Sequence, residues 1–389
     1  MCIPKAQVRP GFPLRSLPIY RRPRCQNAGR GAVHLLGPSL SQEKWQAVSM
    51  LWKHLSQRLC AYLDSQVARG RLRPVKTDLA ASLMTRTLLS SIGGRVPGRL
   101  AHILPSTQEQ ADFILYDPLC LWARIVSQVL HIPAILLCPT YVQNEHSHFM
   151  QKQPAFMQSQ SPGMFDDIQS AINDLCTLYH IPPLDPGDFF THTEALNIVF
   201  MPRAFQPAGE TFDERFVFVG PSILPRKGTP AFPLQRLEGQ PTLLISLGTA
   251  FNNRPDFFKL CLLAFGHQPW QVVLAHGKHV DLGAVPQNFL LAPYVPQLEV
   301  LQRTSVFVTH GGMNSVMESL YFGVPVVVVP QIIEQEVTAQ RCAELGLGIA
   351  LNNADLSVEA LQAVVEQVHH TPTFREHVQA MQQTVRAAG

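Results

Sequence analysis

The run Val306-Phe307-Val308-Thr309-His310-Gly311-Gly312 constrains this chain more than any other stretch, because it has to pass from strand to helix within two glycines. Its apolar, β-branched start suits a buried strand, and the helix that follows is expected to begin near Asn314-Ser315. Such a turn aims unpaired backbone N–H groups and the positive helix end at an anion, and the glycines, Gly312 among them, let phosphate oxygens come close to the backbone. His310, Asn314 and Ser315 add side-chain donors at the same place. Glu318 lies one helical turn beyond Asn314 on the same face, where a carboxylate accepts hydrogen bonds from ribose hydroxyls. Gly323 is placed to end the helix, and Pro325 follows it. A strand, two glycines and a helix also serve as a plain packing turn in many α/β proteins, so this turn alone does not choose between the two uses.

At 389 residues the chain is too long for one ordinary core, and two domains are expected. A hydrophobic content of 46% against 15% charged residues makes it globular. The net charge of +3 is too small to argue for nucleic acid or an acidic membrane surface. No stretch approaches eighteen uninterrupted apolar residues, which excludes a transmembrane segment and points to a soluble, cytoplasmic protein. The eight cysteines are scattered, without a CxxC pair or metal-ligand spacing, and read as small buried thiols in a reducing compartment. His146 and His148 lack a third ligand nearby and read as part of a solvated loop, so no metal is expected.

The first forty residues differ from the rest: seven basic residues and six prolines arrive before the first acidic one, Glu43. From Ala32 the pattern becomes ordinary, with a short strand in AVHLLGP and helical spacing from Gln42 to Val67. DFILYD, the helix LCLWARIVSQVL and IPAILLC make a βαβ unit with a parallel sheet. Loops with a helical segment around Phe165 to Tyr179 follow, then strands in ALNIVF and RFVFVG. The Pro- and Gly-rich stretch 219–240 reads as a linker, and TLLISLGTAF opens a second α/β unit that continues through QVVLAH, FVTH and VVVVP. The domains are therefore expected at 1–218 and 241–370, with a C-terminal helix in 371–389 packing back on the first.

In an open parallel sheet, ligands bind beyond the carboxyl ends of the strands, where turns from different strands converge. Three turns qualify here: Ser246-Leu247-Gly248-Thr249, Tyr294-Val295-Pro296-Gln297, and Gln331 to Gln335 after VVVVP. Each has a plain structural reading as well: a βα turn, a surface aromatic, and an acid-rich helix start. The ordered set over the forty-two residues from Tyr294 to Gln335, with His310, Asn314-Ser315, Glu318, Pro330 and Glu334-Gln335 in sequence, is far more specific. It resembles the nucleotide-sugar signature of the UDP-glycosyltransferase superfamily, the inverting family-1 glycosyltransferases, and within it the bacterial macrolide-glycosyltransferase branch.

That resemblance implies a GT-B fold, two Rossmann-like α/β domains of parallel sheet facing each other across a cleft. It implies stacking of the base on Tyr294, base-edge contacts at Val295, and Gln297 near the ribose. Ser246 and Thr249 would meet the β-phosphate, and Glu334 and Gln335 the hydroxyls of the transferred sugar. The leaving diphosphate needs positive potential, expected from the helix N-terminus, His310 and the loop amides, with no cofactor or metal. The implied partners are a UDP-sugar, UDP-glucose first, with dTDP still open, and a lipophilic hydroxylated acceptor of polyketide or macrolide type. Neither the sugar nor the oligomeric state is legible.

Transfer needs a base for the acceptor hydroxyl and a carboxylate behind that base. Asp117, at the end of DFILYD, matches the family's carboxylate, although it would equally cap the helix after Pro118. Relatives carry the base in a GHxxP turn near the N-terminus, and this sequence has none; its first histidine is His34, inside what resembles the second strand. Residues 1–28 are expected to be a frame-shifted or wrongly started version of the missing βα unit. The alternative function is a degenerate homologue that binds nucleotide sugar without efficient transfer, or a partner protein of an active transferase. An epimerase or hydrolase would need further carboxylates, and a dehydrogenase a G-x-G-x-x-G after an opening strand.

Overall fold

A computed structural model describes residues 33–36, most of 113–147, parts of 172–184, and 191–388 apart from 225, 227–230, 249–251 and 278–281. Residues 1–28, the helix expected from Gln42 to Val67, Asp117, His148 and Thr249 lie outside the described residues. The chain divides into two compact units, the first formed by 1–138, 156–198 and 213–217 and the second by 139–155, 199–212 and 218–389. The stretch 219–240, expected as a linker, thus groups with the second unit, and Leu237 within it is buried.

The first sheet runs in the order β1 (Val33–Leu36), β2 (Phe113–Tyr116), β3 (Ala134–Cys138), β4 (Leu196–Val199), β5 (Phe216–Phe218). β1 pairs parallel with β2 and β2 parallel with β3, and helix α1 (Leu121–Leu130) crosses between the last two. This is the βαβ unit that the spacing predicts. β3 and β4 are buried along their whole length, as expected where both faces of a parallel sheet are covered. The one polar residue of β4, Asn197, is fully buried and satisfied: its Nδ2 donates to the carbonyls of Glu194 and Arg215.

The second sheet has β6 (Thr242–Ser246), β7 (Gln271–Ala275), β8 (Phe289–Ala292), β9 (Val306–Thr309), β10 (Val326–Val328) and β11 (Gly348–Ala350), ordered β11-β10-β9-β6-β7-β8. Every pairing in it is parallel. The chain lays down β6, β7 and β8 outward in one direction and then returns to place β9, β10 and β11 on the other side of β6. The strand order therefore reverses between β6 and β9, and a crevice opens at the carboxyl ends there.

Helices α2 (Pro255–Phe265), α3 (Gln297–Leu301), α4 (Met313–Phe322), α5 (Ile333–Glu344), α6 (Val358–His370) and α7 (Pro372–Ala387) complete the unit. Pro255 at the first position of α2 has a φ already suited to the helix and lacks only an N–H that would have no helical partner. Phe257, Phe258, Cys261 and Phe265 of α2 pack with Trp270 and with Leu361, Val365 and Val368 of α6 in one core. Ser357 caps α6 by accepting the Ala360 N–H at 3.0 Å.

Both helices next to the crevice end at a glycine, α4 at Gly323 as expected. Gly323 and Gly346 take left-handed φ values of 74° and 64°, and Val324 and Leu347 donate back to the carbonyls of Ser319 and Cys342. Leu345 follows the last turn of α5. α7 is held on α4 within the second unit, where Gln382 Nε2 and Arg386 Nε both donate to the Tyr321 carbonyl. Among the described residues no helix is long and apolar enough to cross a membrane, and no group of three metal-ligating side chains occurs. Cys138, Cys176, Cys261 and Cys342 are buried thiols outside any disulfide, as expected of small apolar side chains.

Candidate functional site

Ser246, the last residue of β6, lies beside Thr309, the last residue of β9, and Val328 of β10 lies beside Thr309 on the other side. The turns after these three strands are consequently neighbours. The HGG turn stands in the middle, at the point where the strand order reverses.

α4 begins at Met313, with Gly312 as its N-cap at φ −61° and ψ 134°. Glycine has no side chain to accept from the first amides, so no side-chain cap is formed there. Those donors face the crevice end of the sheet together with Ser315, which is half-buried, and Asn314, which is exposed. Gly311 takes φ +86°, and a Cβ on it would meet Val328 Cγ1 at 2.6 Å. Only glycine satisfies both conditions.

Gly248 and Gly312 have a use that the sequence does not announce. A Cβ on Gly248 would lie 2.6 Å from His310 Cε1, and one on Gly312 would lie 2.4 Å from His310 Nε2. The two glycines make room for the imidazole. Burial pulls the His310 pKa down to about 4, and a hydrogen bond with the Ser246 backbone opposes this less strongly. His310 is therefore neutral near pH 7. Toward an anion a neutral ring offers an N–H dipole, and positive potential at this turn is available from the helix end and the amides.

The first turn is tied in from both sides. Ser246 is buried, and its Oγ accepts the Gly248 N–H at 3.3 Å. Asn252 Nδ2 donates to the Gly248 carbonyl at 2.9 Å.

The second turn follows β8. Tyr294 is exposed by 46%, a large value for an aromatic side chain. Val295 is half-buried beside it, and Gln297 is the first residue of α3. Gln297 Nε2 donates to Glu318 Oε2 at 2.8 Å, so the two residues expected at a ribose are brought together across twenty-one positions. The other oxygen, Oε1, accepts from Arg226 Nη2. The Glu318 side chain is only 8% exposed and has its ion pair with Arg226.

The third turn carries Glu334 and Gln335 into α5. Glu334 Oε1 accepts the Thr140 hydroxyl at 2.7 Å. Gln335 is buried, and its Oε1 accepts the Gln331 N–H at 2.7 Å, which turns its carbonyl oxygen toward its own loop. The Gln331 side chain is held by Arg254, whose Nη1 donates to Gln331 Oε1 at 2.6 Å and whose Nε and Nη2 engage Asp256. Arg226, Thr140, Asn252 and Arg254 belong to the neighbourhood of the site but not to the motif. Each comes from a segment whose composition gives no sign of it.

The second unit thus places ten of the expected residues, Ser246, Tyr294, Val295, Gln297, His310, Gly312, Asn314, Ser315, Glu318 and Glu334, at strand ends, on the turns that follow or in the helices those turns lead into, with Gln335 beside them facing inward.

Residues 265–388 match the model of the erythromycin biosynthesis protein CIII-like C-terminal domain. The chain is 42% identical over 299 residues to the NDP-glycosyltransferase YjiC of Bacillus licheniformis, covering 75% of this chain and 73% of that protein. It is 33% identical over 287 residues to the demethyllactenocin mycarosyltransferase of Streptomyces fradiae, covering 72% and 62%. Among solved structures, the calicheamicin glycosyltransferase superposes with a TM-score of 0.60 at 34% identity, over 72% of this chain and 70% of that one. The fold is GT-B, with a Rossmann-like unit of strand order 3-2-1-4-5-6 carrying the motif. Sequence, fold and the order of the turns agree, and the chain belongs to the UDP-glycosyltransferase superfamily of family-1 glycosyltransferases, in its bacterial macrolide-glycosyltransferase branch.

Proposed function

We propose that this glycosyltransferase moves a hexose from a UDP-sugar, UDP-glucose in the first instance, to a hydroxyl of a lipophilic small molecule of polyketide or macrolide type. The observation that carries the reading is the Gln297–Glu318 hydrogen bond beside the HGG turn at the strand-order reversal. It assembles a polar pair suited to ribose hydroxyls between an exposed aromatic, Tyr294, and a helix N-terminus suited to a diphosphate. The names of the relatives, which concern demethyllactenocin and calicheamicin, support the acceptor class.

In this reading the acceptor oxygen attacks the anomeric carbon as its bond to the diphosphate breaks. The hydroxyl proton needs a base, for which this sequence shows no GHxxP histidine; Asp117 is the residue that matches the family's carboxylate partner. The negative charge that develops on the leaving diphosphate is met by the first amides of α4, the neutral His310 ring and Ser315. Glu334 stands ready for the sugar hydroxyls, its carboxylate steadied by Thr140.

The test is incubation of the full chain with UDP-glucose, UDP-galactose and dTDP-glucose against a panel of macrolide and flavonoid acceptors, followed by mass spectrometry. A single hexose added from UDP-glucose supports the proposal. No product from any UDP-sugar, with product from dTDP-glucose, would move the donor assignment to deoxythymidine.

A further inference from the structure

Arg254 stands at the start of α2, a few residues past the turn that follows β6, and two bonds join it to that turn. Its backbone N–H donates to the Asn252 carbonyl at 2.9 Å, and Asn252 Nδ2 donates to the Gly248 carbonyl at 2.9 Å. The guanidinium is engaged on all three nitrogens. Nε and Nη2 hold Asp256, while Nη1 donates to Gln331 Oε1 at 2.6 Å and to Asn353 Oδ1 at 3.1 Å. Asp256 is 65% exposed, so the ion pair itself adds little to stability. It orients the planar fork, and a fork with a fixed plane directs Nη1 to one place.

That place is the loop before α5. Gln331, seventy-seven positions after Arg254, is held at three points. Its Oε1 accepts from Arg254, its Nε2 donates to the Val329 carbonyl at 2.8 Å, and its backbone N–H donates to Gln335 Oε1 at 2.7 Å. Asn353 supports the same loop, since its Nδ2 donates to the Pro330 carbonyl while its Oδ1 accepts from Arg254. The segments that follow β6, β10 and β11 are thereby joined at the carboxyl edge of one sheet.

The Gln331 N–H decides how the Gln335 amide lies, because a donor can face only the oxygen end. The NH2 end is the one left to donate, and among the described residues it has no partner. Gln335 is also the third residue of α5, where a glutamine reaching back to an amide just ahead of the helix is an ordinary capping arrangement. A cap and a ligand contact use opposite ends of the amide, so one does not preclude the other.

We propose that Arg254 is a positioning residue for the transferred sugar: through Gln331 it fixes the Gln335 amide so that its NH2 group donates to a hydroxyl of the hexose. The assignment rests on Glu334 and Gln335 being the sugar pair, and it adds a residue from outside the motif. Without the Arg254 side chain, Gln331 loses its charged partner and the Gln335 amide is free to turn. The backbone bond from Arg254 to Asn252 survives that truncation. Recognition of the hexose should therefore weaken while contacts to the nucleotide persist.

The experiment is calorimetric titration of the full chain with UDP and with UDP-glucose, for the wild type, Arg254→Ala, Gln331→Ala, Gln335→Glu and the double variant Arg254→Ala/Gln335→Glu. Gln335→Glu keeps an oxygen for the Gln331 N–H and removes the NH2 donor, so it separates the cap from the sugar contact. Arg254→Ala and Gln331→Ala should each weaken UDP-glucose by roughly fivefold, the loss expected for one neutral hydrogen bond, and leave UDP unchanged. Gln335→Glu should weaken UDP-glucose at least as much. The double variant should be no weaker than Gln335→Glu alone, because residues that act through one contact are not additive. Gln331→Ala breaks the same link from its other end and carries the test if Arg254→Ala does not fold.

Wild-type affinity for UDP-glucose in Arg254→Ala or Gln331→Ala would overturn the proposal. Equal weakening of UDP and UDP-glucose would show a general structural effect and would also overturn it, as would a further loss from Arg254→Ala in the Gln335→Glu background. Wild-type affinity for UDP-glucose in Gln335→Glu, or a wild type that binds neither ligand, would overturn the sugar or donor reading itself, a result distinct from the others.

Discussion

Gly312 packs against the imidazole of His310 so closely that a Cβ on it would stand 2.4 Å from Nε2. The Gly312 backbone, at φ −61° and ψ 134°, is one that alanine adopts readily. The glycine is thus required by the ring and not by the turn. Gly312→Ala should displace His310 or the start of α4 and weaken UDP binding by roughly tenfold or more, with an overpacking cost of about 1–3 kcal/mol. Calorimetry and urea unfolding measure the two effects separately. Unchanged affinity would show that His310 does not matter to the nucleotide.

His310 also makes stability depend on pH. Its pKa falls from 6.5 in the unfolded chain to about 4 in the fold because burial disfavours the imidazolium. The unfolded state therefore binds the additional proton between those values. The contribution is complete above pH 6.5 and is lost as pH falls toward 4, and it amounts to something on the order of 3 kcal/mol. His310→Gln should flatten the dependence of unfolding free energy on pH between 7 and 4.5. A variant with the wild-type slope over that window would contradict the shift.

Tyr294 is 46% exposed, so its removal should cost more in binding than in folding. Tyr294→Ala is expected to reduce UDP affinity by about 0.5–1.5 kcal/mol while the unfolding midpoint stays within error of the wild type. Tyr294→Trp should bind at least as well as the native chain. Equal affinities across the three proteins would remove base stacking from the account.

Glu334 separates sugar from nucleotide. Its carboxylate accepts from Thr140 and lies on the turn assigned to the transferred hexose. Glu334→Gln should lower affinity for UDP-glucose by about 1.5–3 kcal/mol, the range for a hydrogen bond to a charged group, and leave affinity for UDP unchanged. A parallel loss for both ligands would place Glu334 on the nucleotide instead.

Much of the second unit is legible because its signals are local. The strand VFVT, the turn at Gly311-Gly312 and the end of α4 at Gly323 follow from apolar runs and backbone freedom, and all stand where the residues place them. β8 and β11 are not marked by the sequence: both are short edge strands with incomplete burial, so their alternation is too weak to read. The roles of Gly248 and Arg226 depend on neighbours sixty-two and ninety-two positions away and have no local signature. His310 is conspicuous in the motif, but its charge state comes from burial, which only the fold creates. Asp117 and Thr249 lie outside the described residues, so their assignments rest on the resemblance alone.

The central claim is that the turns at the β6/β9 reversal hold a uridine diphosphate. Thermal unfolding of the full chain with saturating UDP, UDP-glucose, dTDP or ADP tests it most directly, with Glu318→Gln alongside. The account predicts that UDP and UDP-glucose raise the unfolding temperature, by an amount equivalent to about 2.7 kcal/mol at a hundredfold excess over Kd, and that Glu318→Gln lowers this protection. Absence of protection by UDP and UDP-glucose, or protection by UDP undiminished in Glu318→Gln, would contradict it.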